Sequence, residues 1–156
     1  MNTTTASVLA TIPAAIGAAF AGGIYAGIMR GIDGAPDEHL VLLPGAAEDV
    51  TWEAAGEWAK AEGGDLPTRR EQRLLFINLK DQFEEGWYWS GEQAGPSNAW
   101  NQNFNNGNQN NNNRSYEGRA RAVRRSSRCG LHARAAGRRV FRLPPHQTQY
   151  PQRPGV

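Results

Sequence analysis

Between Asn98 and Asn113, ten of sixteen residues are asparagine, and this run restricts the possible folds more than any other stretch. A buried amide without a partner costs about 1–3 kcal/mol, so so dense a run of amides must be mostly wet. The run is also punctuated: Trp100, Gln102 and Phe104 alternate with Asn101, Asn103 and Asn105. Successive strand residues face opposite ways, so the pattern predicts a strand with Trp100 and Phe104 as core anchors. Asn101, Asn103 and Asn105 are then expected to face solvent. Asn106-Gly107 is the strongest hairpin-turn dipeptide of the chain and leads into Asn108 and Asn110–Asn113. Short side chains that both donate and accept make a permissive surface for polar ligands. A low-complexity polar linker is the competing reading, against which Trp100, Phe104 and Tyr116 could tie the run to a core.

The flanking text supplies a domain for that core. Ile24–Arg30 and His39–Leu43 read as strands of a hairpin, with Asp33-Gly34 in its loop. Thr51 reads as an N-cap, followed by Trp52, Ala55, Trp58 and Ala59 at helical spacing. Thr68 and Glu71 form a capping box opening a second helix, whose apolar side is expected from Leu74, Leu75, Ile77 and Leu79. Trp87-Tyr88-Trp89-Ser90 is β-like, and Arg119–Val123 reads as a closing strand. The five tryptophans fall at helix and strand periods, so most are expected to be buried rather than offered to sugar rings. The sum is an α+β domain: N-terminal hairpin, two helices, then aromatic-rich antiparallel strands.

Charge divides the chain. Residues 1–118 carry seven basic and fifteen acidic side chains, a net of −8, whereas residues 119–156 carry ten arginines and no acid. After Arg125 the text is rich in Arg, Pro and Gly and too poor in apolar surface to offset its ordering entropy. The expected organisation is therefore a flexible arm over 1–19, a domain over 20–125 and a disordered basic tail over 126–156. That tail is the only candidate for nucleic-acid binding, through phosphate contacts, but it lacks a stacking platform, so nucleic acid is a weak expectation. The apolar run from Val8 to Met29 contains Pro13 and four glycines and is too weak for a membrane span. No Lys or Arg precedes Arg30, which predicts a product made in the cytoplasm without a signal peptide.

Catalysis has little to work with. Cys129 is the only cysteine, which excludes an intramolecular disulfide and a Cys-based zinc site. His39 is the only histidine before the tail and sits in an apolar strand, the position of a structural residue. Glu84-Glu85 reads as a solvated pair in a turn, and Arg69-Arg70-Glu71 as a structural ion network. The expectation is a non-enzyme with no catalytic residue, cofactor or metal.

Four segments together resemble a known family: Gly22–Gly27, Leu66-Pro67-Thr68-Arg69-Arg70-Glu71, Trp87-Tyr88-Trp89-Ser90 and Tyr116–Arg125. They are similar to phage and bacterial domains of the Lcl C-terminal-like family over roughly residues 16–125. That resemblance implies a C-type-lectin-like fold. The Asn run resembles the variable region of diversity-generating retroelement proteins, in which a template is copied with errors at adenines and Asn codons are adenine-rich. This implies a ligand-binding protein of phage or prophage origin. Its variable contact positions would be Asn101, Asn103, Asn105, Asn108, Asn110, Asn111, Asn112 and Asn113. The implied partner is a protein or carbohydrate on a target surface. A structural virion or tail component, with homo-oligomeric packing through the Asn loop, is the alternative.

Overall fold

Two threonines start the helices. In the computed structural model, which describes residues 15–127, the Thr51 hydroxyl accepts from the Ala54 N–H at 3.3 Å and opens α1, Trp52–Ala61. Thr68 opens α2, Arg69–Leu79, with the full reciprocal box: its hydroxyl accepts from the Glu71 N–H at 3.2 Å while the Glu71 carboxylate accepts from the Thr68 N–H at 2.8 Å. A 3-10 turn over Lys80–Gln82 ends the second helix.

The strands are β1 Ala19–Phe20, β2 Gly23–Met29, β3 Glu38–Leu42, β4 Ala47–Val50, β5 Trp87–Gln93, β6 Asn98–Asn103, β7 Gln109–Asn113, β8 Gly118–Ala120 and β9 Val123–Ser127. They form a four-stranded sheet in the order β1-β2-β3-β9 and a five-stranded sheet in the order β4-β8-β5-β6-β7. All pairings are antiparallel except that of β5 with β8. The architecture is thus α+β, with two helices and mostly antiparallel strands, as the sequence pattern predicts. No helix among the described residues is long and apolar enough to cross a membrane.

Consecutive residues of β5 point into two different cores. Tyr88 enters a cluster with Leu40, Leu42, Leu75, Leu79, Phe104 and Val123, beneath α2. Trp89 enters another with Val41, Leu43, Ala55, Ala59, Leu66 and Ala99, beneath α1. Its indole N–H donates to the Val50 carbonyl at 2.9 Å, so the ring is buried with its polar atom satisfied. Of the five tryptophans only Trp89 is fully buried; Trp52, Trp58, Trp87 and Trp100 are half-buried. On α2, Leu75 and Leu79 face inward, one turn apart, but Ile77 is 76% exposed because it lies on the opposite side of the helical period. The inner stripe is completed by Glu71 and Gln72, which an apolar pattern does not reveal.

The closing element differs from the single strand Arg119–Val123. It is two strands, β8 in one sheet and β9 in the other, and β9 continues through Ser126 and Ser127 against His39 and Glu38. At the other end, Gly17 N–H donates to Tyr25 O at 2.8 Å and Ala19 pairs with Ile24, so residues 15–19 of the expected arm are already tied to β2. Ser126 and Ser127, expected in the basic tail, thus belong to β9, while the arm through residue 14 and the tail from Arg128, with Cys129, lie outside the described residues.

Candidate binding surface

The Asn run forms the β6–β7 hairpin with five consecutive paired positions, from Asn98 opposite Asn113 to Gln102 opposite Gln109. Asn106-Gly107 lies at its tip, as expected, but the loop spans residues 104–108 instead of two residues. The loop is wide because Phe104 turns inward to 3% exposure and stacks on Phe83 at a 3.9 Å centroid separation. Gly107 has φ +78° and its Cα packs on Phe76, where a Cβ would sit 2.9 Å from the ring.

The anchors of this hairpin are its glutamines. Gln102 is fully buried and donates to the Gln72 carbonyl at 2.9 Å. The Gln109 amide N–H groups reach Gln102 Oε1 at 2.8 Å and the Arg69 carbonyl at 2.7 Å, and its Oε1 accepts from Arg69 Nε at 3.2 Å. Gln72 itself donates to the Tyr88 carbonyl at 3.0 Å. A chain of amides therefore binds the hairpin to α2 and β5. Alternation puts Gln102 on the side of Trp100 and Phe104 but gives it no anchoring role, and Gln109 is missed altogether, although these are the only two Gln in an otherwise Asn-dominated run.

The predicted contact positions separate into groups. Asn101 is a correction: it is 1% exposed, not solvent-facing. β6 lies between β5 and β7, and Asn101 pairs with Trp89, so its face continues the core beneath α1 instead of meeting water. Among the described residues neither amide atom of Asn101 has a hydrogen-bond partner. Trp100 is also corrected as a core anchor: it is half-buried, and its ring is covered by the Arg69 guanidinium at 3.6 Å from the centroid.

The other positions remain accessible, in part or fully. Asn105, Asn108, Asn110 and Asn113 are exposed; Asn103, Asn111 and Asn112 are half-buried. Several brace their own loops. Asn103 Oδ1 accepts from the Asn105 N–H at 2.8 Å, Asn105 Oδ1 from the Gly86 N–H at 3.2 Å, and Asn113 Oδ1 from the Ser115 N–H at 2.9 Å. Asn110 Oδ1 accepts from the Asn111 N–H at 2.8 Å, and Asn111 Oδ1 from Asn98 Nδ2 at 2.9 Å. The side chains of Asn108 and Asn112 make no hydrogen bond among the described residues.

Arg114 clamps the far end of the hairpin. It forms an ion pair with Glu53, lies 5.0 Å from the centroid of Trp52, and its N–H donates to Ser97 O at 2.8 Å. The Glu53 carboxyl is held below its ordinary value, first by its own backbone N–H and then by Arg114. Glu71, in turn, joins Arg125 through two hydrogen bonds of 2.6 and 2.7 Å. Glu71 raises the Arg125 pKa further, fixing its charge. Asp65 and Val123 exchange backbone hydrogen bonds beside this pair. The Leu66–Glu71 and Tyr116–Arg125 segments are thereby locked together; the ion network expected among Arg69, Arg70 and Glu71 is corrected, since Glu71 pairs with Arg125 and neither Arg69 nor Arg70 forms an ion pair among the described residues. No protein-family model matches the chain, and no curated protein matches it either.

Proposed function

We propose that this chain is a non-catalytic ligand-binding protein of C-type-lectin-like fold that displays the β6–β7 hairpin as an exchangeable recognition surface. One observation carries the reading: within a single hairpin, the residues that hold it (Gln102, Phe104, Gln109) are distinct from the asparagines that reach solvent. A scaffold held by the first set leaves the identity of the second set free, which is what a variable binding surface requires. Asn103, Asn105, Asn108 and Asn110–Asn113 are the contact positions, while Asn101 supports them from below. The partner is a protein or carbohydrate on a target surface, and the chain's origin is a phage or prophage.

The test is a displayed library randomised at Asn103, Asn105, Asn108, Asn110 and Asn112, sorted first for folded protein and then for binders. Folded members that yield binders support the reading; unfolding of most members refutes it. The flanking DNA offers a second test, since a near-copy of the segment encoding 98–125 that differs at adenines accompanies a mutagenised surface.

A structural virion component is favoured by a different feature. β7 is an edge strand of the five-stranded sheet, and Gln109–Asn113 carries neither charge nor proline to discourage pairing with another subunit. Self-association that disappears on inserting a lysine at Asn111 supports that reading. The nucleic-acid reading rests on the tail, outside the described residues.

A further inference from the structure

The body is acidic, yet three of its arginines converge beside the Asn hairpin without a carboxylate among their ion-pair partners. Residues 1–118 contain seven basic side chains. Arg69, Arg70 and Arg73 line one 390 Å³ cleft, together with Gln109 of the hairpin and Glu92. Among the described residues Arg114, Arg119 and Arg125 form ion pairs, whereas the three cleft arginines, like Arg30, Arg121 and Arg124, do not; what sets the cleft apart is that three such guanidinium groups converge. This is the opposite of what self-neutralisation in a carboxylate-rich protein would produce.

Their donors are also set up for an external acceptor. Arg69 is fixed by the Trp100 ring on one face and by Gln109 at its Nε, which leaves its terminal nitrogens available. Arg70 spends one nitrogen on the Arg30 carbonyl at 3.2 Å, and the Arg73 side chain makes no hydrogen bond among the described residues. Arg70 and Arg73 lie on α2 three residues apart, the spacing that brings side chains to one face. Glu92, the one carboxylate of the cleft, accepts the Arg69 backbone N–H at 2.6 Å and forms no ion pair with the three arginines among the described residues. That bond and the Thr68 cap occupy N–H groups of the first turn of α2, so an incoming anion would be held by guanidinium groups.

We propose that this cleft binds a phosphate or sulfate ester carried by the target molecule. Three guanidinium groups against one carboxylate leave a net positive cleft, enough to hold a phosphate monoester of nearly two negative charges or a singly charged sulfate ester. Planar guanidinium forks meet such oxygens with paired hydrogen bonds. Gln109 forms a wall of the cleft and belongs to β7, so a ligand anchored here would extend across the Asn face. The inference stands on the arginines and holds whether or not the hairpin varies.

The test uses the full chain and follows arginine side-chain N–H resonances while inorganic phosphate, or separately sulfate, replaces chloride at constant ionic strength. Saturable shifts at Arg69, Arg70 and Arg73, absent at Arg124, are expected. The double variant Arg70→Gln/Arg73→Gln should weaken binding by roughly tenfold or more, because two charge-assisted contacts are removed. Both positions are exposed, so the fold should be retained, and an unchanged backbone spectrum checks this. Ala61→Ser, at an exposed position on α1 away from the cleft, should leave ion binding unaltered. Response to one ion alone identifies the ester. Shifts no larger than those in chloride, shifts shared equally with Arg124, or an unaffected double variant would overturn the proposal.

Discussion

Replacing Asn101 with leucine should make the protein more stable. Asn101 is 1% exposed, and among the described residues neither its amide nitrogen nor its oxygen has a partner. A buried polar group in that condition costs about 1–3 kcal/mol relative to one that is satisfied. Leucine has nearly the same reach and removes both orphaned atoms, while imperfect shape returns a penalty below about 1.5 kcal/mol. The balance is a gain of about 1 kcal/mol, which corresponds to a Tm rise of roughly 4 °C for a domain of this size. Equilibrium urea denaturation should show a higher midpoint with an unchanged slope. Asn108→Leu, at an exposed position, should stay within about 0.5 kcal/mol of the parent. If Asn101→Leu instead loses more than about 1 kcal/mol, the amide is hydrogen-bonded in the folded protein and the core face assigned to it is wrong.

Other perturbations follow from the same contacts. Gly56→Ala should stabilise α1 by about 1 kcal/mol, because nothing lies within 4 Å of an added Cβ and glycine is unfavourable in a helix interior. Arg125→Met should cost about 3 kcal/mol by stranding the buried Glu71 carboxylate, the low end for a broken buried pair since Arg125 is partly exposed. Phe104→Ala should cost about 3–5 kcal/mol by emptying the cluster around Phe83 and Tyr88. Asp65 is held below its ordinary value of 3.8, chiefly by the Lys60 hydrogen bond and further by Arg125. Its folded pKa therefore lies below its unfolded one, so its contribution is present above that ordinary value and lost as pH falls through the folded value. Acid titration of Asp65→Asn should show a shallower loss of stability in that window.

Local rules carried much of the fold. Thr51 and Thr68 could be read as caps because capping is decided within four residues, and the N-terminal hairpin because its two strands are separated by a short turn-rich loop. The split of Arg119–Val123 into strands of two sheets was not legible, since only the distant partners β3 and β5 decide it. The hairpin shows the same boundary between local and tertiary information. Alternation placed Phe104 and Gln102 inward and Asn105 outward, but a period of two assumes one wet face. β6 is covered on both, so Asn101 is buried, while Trp100 is shielded by Arg69, which lies about thirty positions earlier on another element and outside any pattern in the run. Gln102 and Gln109 look interchangeable with asparagine in composition; their extra methylene is what lets them reach α2.

Ligand should be met at the outward asparagines. A folded library member selected against a target, isotope-labelled and titrated with that target, measures this directly through its backbone amide spectrum. Perturbations confined to residues 103–113 and the adjoining Arg69–Arg73 cleft, with β2 and β3 silent, are the predicted result. Perturbations centred on the four-stranded sheet or on α1, with the hairpin unchanged, would contradict it.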